Sequence, residues 1–528
     1  LLDQTGRKRS AMTVPGAYDS KGMAFASSDL FFSPEGDGTM DGSSWDDAMP
    51  ADCLPYALRN LRAGHSAYLK AGVYPATGLY IPAGVSVKGG YSEECSGVET
   101  AISYPSPFET VLTADIDGDG IGDNGASPFI TLSPYSSATN PAVLAGLTVS
   151  DAVYTGASSY AGSAIYGNKA FAELDHLRIV NNNRNTGGGA VTLVGAEAYI
   201  HDCIFRDNKG TNAGVALHMR DNGKTIVARC EFSDNEATAN NPQYGGALAL
   251  ADNGGTLYMA NNTITGSHIY CAGAGIRAGG NTTFYSMFNT WFDNTCNFAT
   301  RYSGAVISVG TGARFHSMAD IVVNEDEGKA DNGTNSFAHV FIQAASNEFH
   351  SGGHNIWTSV TNNSETGKFH DTDNINMAHT IASVFGENSY TDFGYSRVIV
   401  PLESYRTVPV DDIAAKADEW NLPAQLDVTL DQAGNKRTAM TVPGAFDVSN
   451  FITTGIADAA AADRFAVLAL GAKRFAVEGV EGAVAVYDLS GRKVSADVAS
   501  AGSVLDLNGL ASGIYILYAD GKSAKIAI

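Results

Sequence analysis

One motif recurs at nearly constant spacing through the middle of the chain, and this repeat constrains the fold more than any other feature. Its clearest copies read FRDN from Phe205, FSDN from Phe232 and WFDN from Trp291, and weaker copies begin at Ile179 and Ile264. The first residues of the five copies lie 26, 27, 32 and 27 positions apart. A period of this length predicts a solenoid, in which each repeat forms one coil and stacks on the coil before it.

A second motif of small residues keeps step with the first and leads into a short apolar strand. The coils contain short alternating strands and Gly or Asn turns, and no helical periodicity intervenes. We therefore predict an all-β chain whose main part is a parallel β-helix. The residues expected to point into its core are Val191, Leu217, Leu248, Ile276 and Val306.

Asparagine closes four copies of the first motif, at Asn182, Asn208, Asn235 and Asn294. Asparagine tolerates the left-handed backbone conformation, and its short amide can bond the backbone of a neighbouring coil. We expect these residues to form a ladder along one turn of the β-helix.

Composition excludes several kinds of partner. The chain has 33 Lys and Arg against 56 Asp and Glu, a formal net charge of −23, so nonspecific binding to nucleic acid or to an anionic membrane is disfavoured. No apolar run reaches the roughly 18 residues that a membrane span needs. The chain starts at Leu1 without a signal-peptide pattern, so we interpret it as a mature or truncated product.

Residues 2–19 and 430–447 agree at 14 of 18 positions, which divides the chain further. We expect the second copy to close the exposed end of the β-helix, and the first to close a preceding module. A duplicated ligand-binding motif is the alternative. The predicted domains are 1–28 (closing peptide of a preceding module), 29–135 (N-terminal cap and first coils, with a helix from about Asp52 to Leu61), 136–425 (β-helix coils), 426–447 (closing peptide), 448–463 (linker) and 464–528 (a small antiparallel β-sandwich).

The opening segments 33–45, 69–74 and 85–91 resemble the start of secreted right-handed β-helix proteins of Bacteroidetes. The paired small-residue and FxxN motifs are also similar to the repeats of chlamydial polymorphic outer membrane proteins. Together these resemblances cover about residues 29 to 447. They imply a pectin-lyase-like fold and leave two activities open, because some of these proteins are adhesins whereas others are polysaccharide lyases or hydrolases.

The last segment resembles the C-terminal sorting domain of the type IX secretion system. The pattern YD-x-x-GR in 484–494, then GL-x-x-GIY in 507–517, then a terminal strand with lysine in 522–528, matches that family in order. The resemblance implies interaction with the type IX secretion machinery and a secreted or outer cell-surface location in a Gram-negative bacterium.

Residues that could perform catalysis are scattered. His218 and Arg220 form the best basic spot, and the coil alignment Thr192, His218, Ala249, Arg277 and Ile307 places Arg277 two coils from His218, too far for direct proton transfer. Asp207 and Asp234 occupy equivalent places in adjacent coils at a separation that retaining glycosidases use. Ordinary solvated surface and ordinary turn chemistry are the alternatives for these two groups.

The strongest ligand-like stretch contains Asp115, Asp117, Asp119 and Asp123 in a glycine-rich loop. Alternating oxygen donors in a bendable loop suit Ca²⁺ and resemble the first half of an EF-hand loop, although the glutamate expected at position 12 is missing. The sequence leaves two interpretations open, a structural Ca²⁺ site and a solvated acidic turn.

Six cysteines form no CxxC pair. Cys203 and Cys230 lie above one another in adjacent coils and are expected to stay reduced and buried, whereas Cys53 and Cys95 form the preferred bridge. The overall prediction is a cell-surface or secreted β-helix protein that acts as an adhesin or glycan-contacting module. The alternative is a polysaccharide lyase or glycoside hydrolase acting on acidic or host glycans.

Overall fold

The structure is a computed structural model. It describes residues 28–92, 97–98, 109–157, 161–184, 188–211, 214–237, 248–250, 254–269, 273–296, 306–324, 339–342, 348–362, 369–376, 378–386, 391–392, 397–447, 451–453, 466–471, 474–478, 484–488, 493–498, 504–507, 510, 514–519 and 522–527. The predicted closing peptide 1–28 and the linker stretch 454–463 lie outside these residues, apart from residue 28.

Four parallel sheets run along the main part of the molecule and form a parallel β-helix, as the repeat predicts. Sheet I contains Leu30–Phe32, Ser66–Lys70, Ser86–Tyr91, Ala142–Ala145, Phe171–Asp175, Glu197–His201, Lys224–Ala228, Thr256–Ala260, Thr283–Met287, Arg314–Met318 and Glu348–Gly353. Sheet II contains Gly72–Pro75, Thr110–Thr113, Thr148–Ser150, Arg178–Val180, Ile204–Arg206, Glu231–Ser233, Thr263–Thr265, Thr290–Phe292, Ile321–Val323, Ile356–Trp357 and Asn374–Ile375.

The remaining two sheets complete each coil. Sheet III contains Val153–Tyr154, Asn183–Arg184, Lys209–Gly210, Glu236–Ala237, His268–Ile269 and Thr295–Cys296. Sheet IV contains Leu79–Ile81, Ile130–Leu132, Ile165–Asn168, Val191–Val194, Leu217–Arg220, Leu248–Leu250, Ile276–Ala278, Ile307–Val309, Val340–Ile342 and Val360–Asn362.

The pairing register confirms the repeat residue by residue. The first residues of the five motif copies are direct partners in sheet II, namely Ile179, Phe205, Phe232, Ile264 and Trp291. The rings of Phe205 and Phe232 stack with centroids 4.5 Å apart inside the helix. Stacked apolar side chains of this kind fill the core along its whole length.

The five predicted core residues are all buried in the core cluster, but the pairing register of their column shifts by one residue at its end. Val191, Leu217, Leu248 and Ile276 are consecutive partners in sheet IV, and the next partner is Ile307 rather than Val306. The outward column consequently ends at Ser308, not Ile307. The small-residue step varies in length between coils, from AG before Ile276 to SGAV before Ile307, so counting from it does not fix the register.

The asparagine ladder is confirmed at the turn between sheets II and III. The backbone amide of Asn182 donates to Oδ1 of Asn208 at 3.1 Å, and that of Asn208 donates to Oδ1 of Asn235 at 3.2 Å. All four predicted asparagines are fully buried. Ser267 takes the place of an asparagine in the coil between Asn235 and Asn294.

A second ladder, which the sequence analysis missed, follows the turn between sheets I and II. Its members accept from the backbone amide of the coil before them, and they are Cys203, Cys230, Asn262, Asn289, Asp320, Asn355 and Asp373. The two sulfurs belong to reduced, buried cysteines, as predicted. Cys95 lies outside the described residues, so the bridge from Cys53 stays a prediction.

Helix α1, Leu54–Asn60, follows a 3-10 turn at Ala51–Cys53 and lies at the N-terminal end of the β-helix. Its Leu54, Ala57 and Leu58 are fully buried and belong to the same core cluster as the coils. The predicted cap helix is therefore present, and it covers apolar side chains that the first coil would otherwise expose.

The C-terminal part of the β-helix chain folds back over the outside of the coils. Helix α2, Ile381–Phe385, packs near sheet II, and helix α3, Val410–Glu419, packs on sheet I after a 3-10 turn at Glu403–Tyr405. Two short antiparallel ribbons, Thr391–Asp392 with Arg397–Val398 and Val408–Pro409 with Met440–Thr441, belong to this part.

The closing peptide 426–447 does not close the end of the β-helix, and this prediction is wrong. Gly444 N donates to Ala319 O at 2.8 Å, and Ala445 N donates to Thr290 Oγ1 at 2.8 Å, so the peptide lies on the side of the coils near sheets I and II. The buried Arg437 explains this position, because its guanidinium packs on the ring of Phe288 and donates to Asn261 Oδ1 on the side of the coils.

Two antiparallel four-stranded sheets form the predicted C-terminal β-sandwich. The first contains Phe451–Thr453, Ala466–Gly471, Arg474–Glu478 and Val504–Asp506, and the second contains Lys493–Val498, Val484–Asp488, Ile514–Ala519 and Lys522–Ala527. The strand Phe451–Thr453 lies within the expected linker, so this unit begins before residue 464. No helix among the described residues is long and apolar enough to cross a membrane.

Candidate functional site

Three neighbouring strands of sheet I present a compact block of polar and aromatic side chains on the outer face. Side chains alternate between the two faces of a strand, and the strands Phe171–Asp175, Glu197–His201 and Lys224–Ala228 pair without a shift. The block therefore forms three columns across the strands: Phe171, Glu197 and Lys224; Glu173, Tyr199 and Ile226; and Asp175, His201 and Ala228.

A cavity of about 220 Å³ lies over this block, and we call it the sheet I groove. Residues of the first two columns line its floor, and Ala138, Pro141 and Gln425 line its sides. The hydroxyl of Tyr199 lies 3.5 Å from the carbonyl oxygen of Gln425, at the edge of the groove. The floor comes from rigid strands, which hold side chains more precisely than loops do.

The sheet I groove lies at the edge of the area of sheet I that the C-terminal segment covers. Farther along the same face, Trp420 packs over Tyr285 and His316, with ring centroids 6.0 and 5.1 Å apart. Tyr258 stacks on Tyr285 at 5.0 Å and continues the aromatic column toward the groove. Lys224 Nζ lies 6.0 Å from the Tyr258 ring centroid, so an outward aromatic strip leads from the covered region to the groove.

His201 joins the groove to a network of charged groups. Its Nε2 lies 3.3 Å from Glu173 Oε1, and its Nδ1 lies 2.8 Å from Asp202 Oδ2 and 3.2 Å from Asp175 Oδ1. Burial by itself lowers the pKa of His201, but these carboxylates outweigh burial and raise the pKa to about 9. The ring also stacks on Tyr199 with centroids 4.1 Å apart, which fixes the tyrosine in the groove floor.

Asp202 is held on its other side by Arg229. Two charge-assisted hydrogen bonds, from Nε at 2.7 Å and Nη2 at 2.6 Å, form a bidentate pair. Burial raises the pKa of Asp202, but the His201 and Arg229 hydrogen bonds outweigh it and hold the pKa well below its usual range. His176 makes a close Nδ1 contact with Asp175 and completes this cluster.

His218 lies near Arg220 but not near Arg277, and it is buried rather than solvated surface. His218 is only 7% exposed, and burial with the nearby Arg220 and Arg184 lowers its pKa to about 4. Arg220 pairs with Asp221 at 3.3 Å. Arg277 lies two coils from His218 in the same column, as predicted. A neutral, buried imidazole of this kind is typical of packing rather than of surface catalysis.

Asp207 and Asp234 lie at equivalent turn positions, as predicted, and both adopt the left-handed conformation, with φ of 56° and 53°. The same column continues with Gly266 and Asp293, which also have positive φ. Asp and Asn are the residues that tolerate this conformation best after glycine. The geometry therefore supports the turn interpretation of the two aspartates.

The acidic loop gathers three of its four aspartates. Oxygens of Asp115, Asp117 and Asp123 lie within 4.8 Å of one another, whereas Asp119 is outside this group. The loop is closed by its own backbone, because Asp115 accepts from Gly118 N at 2.8 Å and from Gly120 N at 2.9 Å. Both predicted interpretations, a Ca²⁺ site and a hydrogen-bonded acidic turn, agree with this geometry.

The residues of the sheet I groove were not predicted from the sequence, because no local motif contains them. Glu173, Tyr199 and Ile226 are separated by 26 and 27 positions. The usable signal was the repeat itself, since aligning the second strand after each small-residue motif would have placed these side chains in one column. That strand carries no FxxN motif, so no local motif marks its register in the sequence.

Comparison with known proteins gives two structural likenesses. No protein-family model and no curated protein matches the chain. A crystal structure of pectate lyase Pel9A aligns with a TM-score of 0.42 and 11% identity over 81% of this chain and 98% of that chain. A complex of XylC with xylose aligns with a TM-score of 0.32 and 8% identity over 80% and 98%. At these values neither likeness transfers an activity to this chain.

Proposed function

We propose that this protein is an exported parallel β-helix that binds a glycan in the sheet I groove and acts as an adhesin or glycan-contacting module. The observation that supports the proposal is the position of the Tyr199 ring beside Glu173 and Lys224 in one concave site on rigid strands. Sugar rings present apolar C–H faces that stack on aromatic rings, and their hydroxyls bond to charged side chains at the rim.

The size of the groove fits part of a glycan chain. Its volume of about 220 Å³ is below the roughly 300–1,000 Å³ of sites that enclose a whole drug-sized ligand. The aromatic strip formed by Tyr258 and Tyr285 continues along the same face toward α3. A single sugar unit in the groove, with its neighbours on the rim, is the mode of binding that this shape supports.

Charge selects the kind of sugar. Glu173 and Glu197 bring two carboxylates to the groove floor against the one ammonium of Lys224, and the whole chain carries a net charge of −23. Repulsion disfavours a polyuronate in this field, since every unit of such a polymer is anionic. We therefore expect neutral or amino-substituted glycans to bind in preference to acidic ones.

Titration calorimetry with matched neutral, amino-substituted and polyuronate oligosaccharides tests this function. Tyr199→Ala is expected to weaken binding at least tenfold, whereas Tyr199→Phe keeps most of the affinity because the ring remains. Tyr135→Ala, at a tyrosine that is 85% exposed and outside the groove, is the control. Equal affinity of wild type and Tyr199→Ala for every glycan would exclude the groove as the binding site.

The same samples test the enzymatic alternative. New reducing ends, or unsaturated products that absorb in the ultraviolet, would show a hydrolase or a lyase respectively and would replace the adhesin proposal. Loss of this activity in Glu173→Gln and Glu197→Gln, with glycan binding retained, would place the chemistry in the groove.

The C-terminal sandwich supports the export part of the proposal. Its strands Val484–Asp488, Ile514–Ala519 and Lys522–Ala527 pair in one antiparallel sheet, and they carry the motifs that resemble the type IX sorting domain. A reporter fused to residues 451–528 should appear outside a bacterium that has this secretion system and remain inside a mutant that lacks it. Retention of the reporter in both strains would contradict the export proposal.

A further inference from the structure

We propose that Asp175, His176, His201 and Asp202 form a binding site for a divalent transition-metal ion such as Zn²⁺. One ligand atom from each of the four side chains lies within 4.8 Å of all the others. The site lies at the end of two adjacent strands of sheet I, beside the groove but outside its lining. The inference does not depend on the proposed glycan-binding function.

The fold places these four residues together by register. Asp175 and His201 are direct partners in neighbouring strands, and the next residue of each strand, His176 and Asp202, begins the turn to sheet II. Both turn residues have the left-handed conformation, with φ of 49° and 54°. Two histidine and two aspartate side chains therefore come from a two-by-two block of backbone positions.

The ligand set selects the kind of ion. Two carboxylate oxygens and two imidazole nitrogens, of which that of His201 releases its proton on binding, suit Zn²⁺, Co²⁺ or Ni²⁺ and do not suit the all-oxygen preference of Ca²⁺. The charges agree with this choice. Asp175, Asp202 and Glu173 bring three carboxylates to the cluster, against the one guanidinium of Arg229. The carboxylates outnumber this fixed positive charge and therefore favour a cation.

Neighbouring side chains outside the cluster already hold two of the four ligands, His201 and Asp202, in place. This observation is independent of the short distances among the four ligand atoms. His201 points Nδ1 at the cluster while its Nε2 lies 3.3 Å from Glu173 Oε1, the carboxylate–histidine arrangement that is usual behind metal-bound imidazoles. Asp202 is held from outside by the Arg229 guanidinium at 2.6 and 2.7 Å. Tyr199 packs on the His201 ring and limits its rotation.

Calorimetric titration of the untagged, chelator-treated full chain with ZnCl₂ tests the inference. We expect one ion per chain with an affinity in the micromolar range or tighter, a higher melting temperature, and tetrahedral absorption bands with Co²⁺. His176→Asn and Asp202→Asn are the main variants, because Asn tolerates the left-handed backbone of both positions. Each is expected to weaken Zn²⁺ binding at least tenfold.

Two controls separate this site from other binding. His350→Asn removes an exposed histidine of the same sheet, and it should leave the affinity unchanged. The double variant Asp115→Asn with Asp123→Asn removes two carboxylates of the acidic loop, and it should also leave Zn²⁺ binding unchanged. No binding to the wild-type chain, or equal binding by His176→Asn and Asp202→Asn after their folding is verified by circular dichroism, would overturn the inference.

Discussion

The guanidinium of Arg437 lies 3.9 Å from the ring centroid of Phe288, so the closing peptide is fixed to the side of the β-helix by a buried cation–π contact. The same guanidinium donates to Asn261 Oδ1 at 2.9 Å and to the carbonyl oxygens of Gly444 and Ala445 at 2.8 and 3.0 Å. Arg437 is 4% exposed. One side chain therefore holds both the shape of the peptide and its place on the coils.

Arg437→Ala is expected to destabilise the protein by about 3–5 kcal/mol, because it removes the cation–π contact and the guanidinium donor to several buried oxygens. Arg437→Lys should cost less, since it keeps the charge but loses the planar fork. Limited proteolysis within residues 426–447 measures undocking, and chemical denaturation measures stability. Equal stability of wild type and Arg437→Ala would show that the docking is not held by this residue.

The asparagine ladder should be a large local source of stability. Asn208 donates from Nδ2 to Ile179 O at 2.8 Å and to Asn235 Oδ1 at 3.0 Å, and its Oδ1 accepts from Asn182 N at 3.1 Å. Asn208→Ala is expected to cost about 2–4 kcal/mol in denaturant unfolding, because buried groups lose their partners. The neighbouring exposed Asp207→Asn should change stability by less than about 0.5 kcal/mol. Similar losses in both variants would contradict the ladder's role.

Asp320 is a member of the second ladder, and its carboxyl group is titratable. Burial raises its pKa from 3.8 to about 7, although hydrogen bonds from Ser317 and Asn289 oppose that rise. The folded state therefore keeps a proton that the unfolded chain releases. The contribution of this group to stability is complete below pH 3.8 and is lost as the pH rises toward 7.

Asp320→Asn is expected to raise stability at pH 8 by about 1–3 kcal/mol and to flatten the pH dependence between about 4 and 7. The amide has the same shape, and it can accept from Asn289 N as the carboxylate does, at 2.8 Å. Thermal melts of the variant and wild type at pH 4 and pH 8 make the measurement. A variant that is less stable at both pH values would show that the ladder needs the carboxylate.

Calcium binding at the acidic loop remains a prediction. If Asp115, Asp117 and Asp123 bind Ca²⁺, the ion will raise the melting temperature, because it binds only the folded loop. Asp115→Asn combined with Asp123→Asn should abolish the rise, whereas Asp119→Asn, outside the gathered group, should keep it. No rise in the wild-type chain would leave the hydrogen-bonded acidic turn as the correct interpretation.

The structure shows what the residues shared by the two copies, 2–19 and 430–447, do in the second copy. The identical positions in the second copy include the residues that hold it in place, among them Arg437, Gly444 and Asp447. The Asp447 carboxylate accepts from Thr438 N at 3.0 Å and from Thr441 Oγ1 at 2.8 Å. The first copy retains these residue types at Arg9, Gly16 and Asp19 but lies outside the described residues.

The sequence by itself determined the solenoid, its register in sheet II, the asparagine ladder and the cap helix. These features depend on residues that recur at one period, and stacked coils place equal repeat positions above one another. Counting failed where the small-residue step varies in length between coils, as at Val306. Periodicity of this kind is a property that a sequence shows directly.

Only the tertiary structure decided where the closing peptide lies, which face stays open and which charged groups meet. The sheet I groove depends on Gln425 reaching the column of Tyr199, more than 200 positions away in the sequence. The proposed metal cluster depends on the left-handed turn conformation that His176 and Asp202 share. The Gln425 contact joins parts of the chain that no repeat relates, and the cluster needs the turn conformation in addition to the repeat, so both follow from packing and not from the local pattern of residues.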